Sequence, residues 1–312
     1  MSLSSLSNWL VFSLLRLPEN RLGEAISFFL YDSIKILILL TVIIYAVTFL
    51  RTFLPPERIK AMLTHKNRLV GHVLAAGVGI VTPFCSCSAI PLFLGIIESG
   101  VPAGIAFSYL VSAPMVNEVA MVLLLALFGW KAMTLYIGSG VLLAILTGLV
   151  LGRMHIEHLI DRGAATQSVA KANPTVRERF ARSWRYTRNL VRRIFPYVLL
   201  GVAAGAFIHG YAPEDFLARV AGKSNPFAVP IAVLIGVPLY SNAAGTIPIV
   251  SSLLEKGLPM GTALAFMMAV TALSVPEMII LRRILKPKLL ALYVGILTVG
   301  IMLTGYLFNA VL

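Results

Sequence analysis

The segment Val81-Thr82-Pro83-Phe84-Cys85-Ser86-Cys87-Ser88-Ala89-Ile90-Pro91 separates two apolar stretches, residues 69–82 and 89–98. Neither stretch reaches the ~20 residues that a helix needs to cross a bilayer. A polar, proline-flanked break at membrane depth is tolerated only where it is buried in protein or lines a cavity. We therefore interpret residues 69–98 as a re-entrant hairpin with the polar segment at its tip.

The composition around this hairpin is that of an integral membrane protein. Of 312 residues, 58% are hydrophobic and 12% are charged, against about 25% charged in soluble domains. The mean hydropathy is +0.89. The formal net charge of +13 is concentrated in a few loops, which is typical of cytoplasmic loops and argues against a nucleic-acid partner. The N-terminus shows no signal-peptide pattern, and we expect residues 1–23 to hold an interfacial helix.

Three further segments of the first half have the length of membrane spans. They are residues 24–50, residues 101–128 and residues 132–152. The second of these is interrupted by Ser112-Ala113-Pro114, where proline removes a backbone hydrogen bond and predicts a kink. We assign residues 24–152 to a first membrane repeat with three spans and one hairpin.

The second half of the chain repeats the first at a constant offset of 157 residues. The motif Glu-x-Gly-x-Pro-x-Gly occurs at residues 98–104 and again at residues 255–261. The other matches at this offset are Gly79 with Gly236, Ile90-Pro91 with Ile247-Pro248, Tyr136 with Tyr293, Gly138 with Gly295, and residues 146–148 with 303–305. A register held over more than 100 positions predicts a second membrane repeat, residues 181–312, joined by a basic linker, residues 153–180.

Loop charge predicts that the two repeats have opposite orientations. Residues 51–68 carry five Lys or Arg and one Glu, whereas residues 211–225 have no net charge. Residues 282–288 carry four positive charges, and their counterpart around Lys131 carries one. If every basic loop is cytoplasmic, the repeats are inverted. The predicted fold is all-α, with two inverted-topology repeats of three spans and one re-entrant broken-helix hairpin each, in the inner (plasma) membrane.

The two hairpin tips would then meet near the middle of the bilayer, and we predict that they bind solute there. Under the repeat register, residues 85–88 face residues 242–245, which follow Ser241. The candidate solute-binding residues are Cys85, Ser86, Cys87, Ser88, Asn117, Ser241 and Asn242. The thiols of Cys85 and Cys87 are soft ligands suited to Zn(II), Cu(I) or As(III). The alternative is that both cysteines are inert packing residues.

Two carboxylates, Glu118 and Glu277, lie next to the predicted kinks and two positions out of the repeat register. An intramembrane carboxylate is by default a functional candidate, and we predict that these two carry protons through a transport cycle. The alternative is a neutral carboxylic acid that stabilises the kink. Glu98 and Glu255 are expected at a helix junction or interface, and His72 is expected to be a hydrogen-bonded histidine of the interior or of the membrane interface.

The motifs in residues 82–91, 98–102 and 112–118 resemble those of the YraQ/ArsP-type predicted permeases, and the resemblance covers nearly the whole chain. It implies a membrane permease. Some members of that family export trivalent organoarsenicals, and others are linked to metal or metalloid resistance. Relatives that handle arsenicals are thought to use cysteines, which would give Cys85 and Cys87 that role. The second repeat has no cysteine, so a third thiol ligand is missing.

The predicted function is secondary transport of a small, thiophilic solute or ion, such as a metalloid, a soft metal or a sulfur compound. The chain has no Gly-x-x-x-x-Gly-Lys loop and no His-Glu-x-x-His motif, so we expect neither ATP hydrolysis nor another enzymatic activity. No cofactor is expected. Membrane lipids are expected partners, and homo-oligomerisation stays open. The alternative function is a channel, or a membrane scaffold for a partner protein docked on the basic linker.

Overall fold

The computed structural model is helical throughout its described part. It describes residues 21–51, 60–61, 63–64, 67–82, 86–154, 156–160, 175–211, 225–238, 243–255, 257–282 and 284–312. Within these ranges the extended pairing is a single antiparallel bridge between Ile160 and Leu285. The predicted N-terminal segment up to residue 20 and residues 161–174 of the predicted linker lie outside the described residues, and the domain boundaries stay predictions.

The helices of the first half are α1 (Arg21–Arg51), α2 (Arg68–Val81), α3 (Ser86–Glu98), α4 (Ala103–Met115) and α5 (Glu118–Arg153). A 3-10 turn, Ile156–Leu159, follows α5. The helices of the second half are α6 (Val176–Tyr211), α7 (Ala228–Gly236), α8 (Ala243–Glu255), α9 (Met260–Ala272), α10 (Val275–Leu281) and α11 (Pro287–Val311).

Helix boundaries follow the 157-residue register. Helices α3 and α8 begin and end at equivalent positions, as do α4 and α9, and α10 begins at the equivalent of the start of α5. Helix α5 is interrupted at Gly129, which has φ 79° and ψ 176°. The next residue, Trp130, is the equivalent of Pro287, where α11 begins. The interruption in α5 is therefore the counterpart of the loop between α10 and α11.

Each repeated Glu-x-Gly-x-Pro-x-Gly motif forms a tight corner between two helices. Glu98 and Glu255 end α3 and α8, and Gly100 and Gly257 follow with φ of 82° and 90°. At the first corner, the N–H of Gly100 donates to the Ile97 carbonyl (3.0 Å) and that of Val101 donates to the Ile96 carbonyl (3.4 Å). This pattern is the Schellman helix ending, in which glycine takes the left-handed conformation.

The second corner has the equivalent bonds, from Gly257 to Leu254 (2.9 Å) and from Leu258 to Leu253 (3.1 Å). The prolines of the motif are the N-caps of α4 and α9. The prediction that Glu98 and Glu255 mark a helix junction is confirmed.

The last glycine of each motif lets two backbones approach closely. A Cβ atom on Gly104 of α4 would lie 2.6 Å from the Gly148 carbonyl and 2.6 Å from the Gly152 Cα, both on α5. In the second half, a Cβ atom on Gly261 of α9 would lie 2.5 Å from the Gly305 carbonyl on α11. Each half therefore contains the same close helix crossing, α4 with α5 and α9 with α11. Such crossings resemble the small-residue contacts between membrane helices.

The predicted kink in residues 101–128 is a complete break. Pro114 lies inside α4, because the N–H of Val116 still donates to the Ser112 carbonyl at 2.9 Å and the helix continues past the proline. Asn117 then begins α5 as its N-cap, with its side-chain oxygen accepting from the Ala120 N–H at 2.7 Å. The break therefore falls three residues after Pro114, at the cap that starts the next helix.

The halves pack through a buried core in which α4 and α9 contact each other and α5 contacts α11. All of α4 is buried, and α9 is buried from Gly261 to Ala272. Helix α3 also contacts α10, and α8 contacts α5, so α3 and α8 each pack against a helix that follows the break of the other half. Across the interface, the ring centroids of Tyr293 on α11 and Phe107 on α4 are 5.6 Å apart.

Equivalent helices of the two halves meet end to start. Tyr45 and Phe49, near the end of α1, pack against Phe180 and Trp184, near the beginning of α6, with tilted and edge-on rings. The segment after α5 is bonded to the start of α11, where the Lys286 N–H donates to the Leu159 carbonyl at 2.9 Å.

Three segments of the described chain are long and apolar enough to cross a membrane by length and composition. They are Ala120–Arg153, Met260–Leu281 and Pro287–Val311. The short apolar helices α2 and α4 accompany them. The protein is thus an all-helical, multi-pass membrane protein in its described part.

The close crossing at Gly104 generates a stability prediction. Gly104→Ala places a methyl group against backbone atoms that cannot rotate away, and overpacking of this kind costs about 1–3 kcal/mol. We expect a lower melting temperature of the purified protein in detergent, followed by intrinsic fluorescence.

Gly138→Ala on α5 is the matched control, because a Cβ atom there meets nothing within 4 Å. Alanine is favoured over glycine in a helix by up to about 1 kcal/mol, so this variant should melt at the same temperature or higher. Equal destabilisation by both substitutions contradicts the crossing described above.

Candidate functional site

The helix interruptions of both halves lie beside the predicted hairpin tips. In the second half, the Val275 N–H at the start of α10 donates to the carbonyl of Val237, just after α7, at 3.1 Å. In the first half, a Cβ atom on Gly79 near the end of α2 would lie 2.9 Å from the Ser112 Cβ near the end of α4. In each half, the end of a short helix, α2 or α7, therefore lies next to the helix break.

The predicted solute-binding residues fall in different parts of this arrangement. Ser86, Cys87 and Ser88 form the first turn of α3. Cys85, Ser241 and Asn242 lie outside the described residues, directly before the first turns of α3 and α8. Thr82 ends the first arm, with its hydroxyl donating to the Gly79 carbonyl at 3.0 Å. The two predicted tips thus connect the end of one short helix to the beginning of the next.

Asn117 and Glu118 occupy the break of the first half. The side-chain oxygen of Asn117 is used as the cap of α5, which leaves its amide N–H groups for other contacts. Glu118 is the first residue of α5 and is exposed. A carboxylate in the first turn also interacts favourably with the helix dipole.

Glu277 has the opposite environment from Glu118. It lies in the first turn of α10 and is 0% exposed. Burial of a carboxyl group at a helix break inside the membrane core is the arrangement in which its protonation state affects the surrounding helices most.

Two fully buried tyrosines were not assigned a role from the sequence. Tyr136 and Tyr293 are equivalent in the repeat register; Tyr136 pairs with the Thr271 side chain of α9, whereas within the described residues the Tyr293 hydroxyl has no hydrogen-bond partner. An unsatisfied buried hydroxyl costs roughly 1–3 kcal/mol. The signal that could have identified them was present in the sequence, since they match at the 157-residue offset.

His72 is buried and hydrogen-bonded, as predicted. It is 4% exposed on α2, and its Nδ1 atom lies 2.9 Å from the Ser108 hydroxyl of α4. A second hydroxyl of α4, that of Ser112, donates to the Ala76 carbonyl of α2 at 2.7 Å. The interface between α2 and α4 is therefore polar along its buried length.

Among the described side chains, no group of three or more His, Cys, Asp or Glu residues is placed to hold a metal ion. A structural or catalytic metal centre commonly needs three or four such ligands. The soft-ligand pair Cys85 and Cys87 lies outside that description, so its geometry toward a metal or metalloid is not fixed by these contacts.

Comparison with known proteins gives consistent matches over most of the chain. The model of the family ArsP_1, described as predicted permease, matches residues 21–310. The UPF0718 protein MJ0584 of Methanocaldococcus jannaschii is 23% identical over 313 residues, covering 81% of this chain and 86% of that protein. A putative two-component membrane permease complex subunit of Streptococcus mutans is 21% identical, covering 79% and 82%.

The UPF0718 protein YraQ of Escherichia coli is 24% identical, covering 77% of this chain and 68% of that protein. No solved structure matches this chain.

Proposed function

This chain belongs to the ArsP_1 family of predicted permeases, and on that premise we propose that it is a secondary transporter whose solute site lies where two hairpin tips meet. The observation that carries the proposal is the pair of helix breaks at equivalent positions of the two halves, between α4 and α5 and between α9 and α10. Irregular backbone at membrane depth persists where it lines a cavity or is enclosed by protein.

We propose that the two repeats have inverted topology. Three contacts support it. The end of α1 lies beside the beginning of α6, and the end of α5 lies beside the beginning of α11. Leu143 of α5 packs against Gly300 of α11, and these two residues are equivalent in the repeat register. A residue that contacts its own counterpart lies on the axis relating the repeats, and antiparallel counterparts place that axis in the membrane plane.

The proposed topology places the basic segments on the cytoplasmic side of the inner membrane. The Arg282 to Lys288 loop and the start of the basic linker are joined by the Ile160–Leu285 bridge, so two basic segments already share one side. The first part of α6 carries exposed Arg177, Arg185, Arg188 and Arg192. This surface is suited to anionic lipid headgroups, at about 1 kcal/mol for each basic residue.

We further propose that the solute is thiophilic: a metalloid, a soft metal ion or a sulfur compound. Helix N-termini at α3 and α8 direct unpaired N–H groups toward the tips. The first tip adds the thiols of Cys85 and Cys87 with the hydroxyls of Ser86 and Ser88, and the second tip adds Ser241 and Asn242. Thiolates next to such N-termini are reactive and bind soft species. In cells this chemistry suits metalloid efflux.

Glu118 and Glu277 are proposed to couple transport to protons. Glu277 is enclosed in the core, whereas Glu118 is exposed at the start of α5. The two carboxylates therefore differ in their access to water. A buried carboxyl group favours its neutral form until an alternative conformation admits water. Opening of the core at the α9–α10 break would then release the proton.

A second candidate function is a membrane subunit that acts with a partner protein. The S. mutans relative is named as a subunit of a two-component membrane permease complex, and the basic, exposed first part of α6 offers a surface outside the membrane. Solute flux by this chain alone in liposomes supports the transporter. Unsaturable flux supports a channel, and flux that appears only after addition of a second protein supports the subunit.

The thiol mechanism predicts that Cys85→Ser combined with Cys87→Ser removes solute transport. The protein has two cysteines, so this variant contains no thiolate. We expect saturable uptake of a trivalent methylarsenical into proteoliposomes, measured as arsenic by elemental mass spectrometry, to fall at least tenfold, a loss of about 1.4 kcal/mol or more.

The wild-type protein provides the control for this variant. Modification with a methanethiosulfonate reagent should block uptake, because Cys85 and Cys87 are the two thiols with which it can react. A reductant that removes the modification should restore uptake. The melting temperatures of the two proteins should agree. Full uptake by the double variant excludes the thiols from the mechanism, whatever the effect of the reagent.

The proton-coupling proposal predicts that Glu277→Gln uncouples transport. Glutamine resembles the protonated acid and cannot release a proton, so exchange of arsenical across the liposome should persist while accumulation driven by a pH gradient is lost. Glu118→Gln is expected to change the pH profile as well.

Glu255→Gln, at the exposed end of α8, is the matched control from the same repeat and should accumulate solute as the wild type does. Normal gradient-driven accumulation by Glu277→Gln contradicts a coupling role for this carboxylate.

A further inference from the structure

The buried pair of His72 and Ser108 corresponds, in the second repeat, to two residues with apolar side chains. His72, Ser108 and Gly148 meet where α2, α4 and α5 pack together, and a Cβ atom on Gly148 would lie 2.8 Å from the His72 Nδ1. The equivalent residues in the second repeat are Val229, Ala265 and Gly305.

These three residues pack in the same way. A Cβ atom on Gly305 would lie 2.7 Å from a Val229 methyl group and 2.8 Å from the Ala265 Cβ. The scaffold therefore closes this position with valine and alanine in one half and with histidine and serine in the other. Packing does not require the polar pair, and a buried hydrogen-bonded pair gives little net stability over an apolar replacement of the same shape.

The surroundings of His72 hold few charges. Helix α4 contains no charged residue, and Arg68 is the charged residue of α2. On α5, the nearest charged residue to Gly148 is Arg153, at the exposed end of the helix. Lys60 is exposed and lies near Gly100. His72 is thus the titratable group enclosed in this interface among the described residues.

The imidazole is buried but close to the helix end. It lies four residues after Arg68 and so about 6 Å along α2 from the exposed start of the helix. The hydroxyl of Ser108 can donate to the neutral imidazole or, after rotation, accept from the imidazolium. The hydrogen bond therefore persists in both charge states, and protonation does not break the interface.

We propose that His72 is a proton-binding site of the first repeat, with Ser108 as its positioning residue. The neutral imidazole takes a proton from water, the Nδ1–H of the resulting imidazolium donates to the Ser108 oxygen, and a proton returns to water when the repeat changes conformation. This site is separate from Glu277, which lies at the helix break of the other repeat. It rests on the proposed transport function for its role in the cycle.

The test replaces the pair with the residues that the second repeat already uses, in the variant His72→Val with Ser108→Ala. Histidine is the side chain whose charge changes between pH 5 and 8, so uptake is measured across this range. We expect uptake of a trivalent methylarsenical into proteoliposomes to vary severalfold over this range in the wild type and to vary less in the variant, which keeps the carboxylates Glu118 and Glu277. The variant should keep the wild-type melting temperature.

Nuclear magnetic resonance of histidine-labelled protein in nanodiscs supplies a readout that needs no solute. The His72 signal is assigned by its absence in the variant, and it should shift between pH 5 and 8. In Ser108→Ala alone the midpoint of that shift should move, since the imidazolium loses its acceptor.

A His72 signal that does not change with pH overturns the proposal, and so does a variant that keeps the wild-type pH profile of uptake. If the double variant does not fold, Ser108→Ala decides: an unchanged midpoint overturns the assignment. If the wild type does not transport the arsenical, the proposed function fails, while the titration still decides whether His72 binds a proton.

Discussion

The fold depends on a constraint that the bilayer imposes on the backbone: every N–H and C=O group at membrane depth needs a hydrogen-bond partner. The chain meets it with short helices whose ends are capped within the protein. Asn117 caps α5, the Schellman endings close α3 and α8, and the Val275 N–H is bonded to the carbonyl of Val237. Because these helix ends are hydrogen-bonded within the protein, the chain can change direction without leaving backbone groups unsatisfied.

The two halves share their packing features but differ in their functional residues. Helix lengths, corners and close glycine crossings repeat at the 157-residue offset, and these features are what packing needs. Several polar residues do not repeat. Both cysteines belong to the first repeat, and the buried carboxylate of Glu277 belongs to the second. The His72–Ser108 pair of the first repeat is replaced by apolar residues at the equivalent positions of the second. A symmetric frame with unequal chemistry is what a transporter needs to treat its two openings differently.

Much of the architecture was predictable because it is encoded locally. The Glu-x-Gly-x-Pro-x-Gly motif predicts a corner, since its glycine and proline favour one backbone conformation each. The exact break before α5 was not predictable from Pro114, because it depends on the cap that Asn117 makes. The difference in burial between Glu118 and Glu277, and the contact of His72 with Ser108 across 36 residues, depend on how helices pack, which sequence spacing does not fix.

The central claim, that equivalent parts of the repeats face opposite sides of the membrane, is tested most directly with Lys131 and Lys288. These lysines are equivalent in the repeat register and exposed; Lys131 follows the interruption of α5 at Gly129, and Lys288 is the second residue of α11. Each is replaced by cysteine in a protein without its two natural cysteines, and intact cells are treated with a membrane-impermeant maleimide. The account predicts labelling of Lys131→Cys from outside and of Lys288→Cys after lysis alone. Labelling of both from the same side contradicts it.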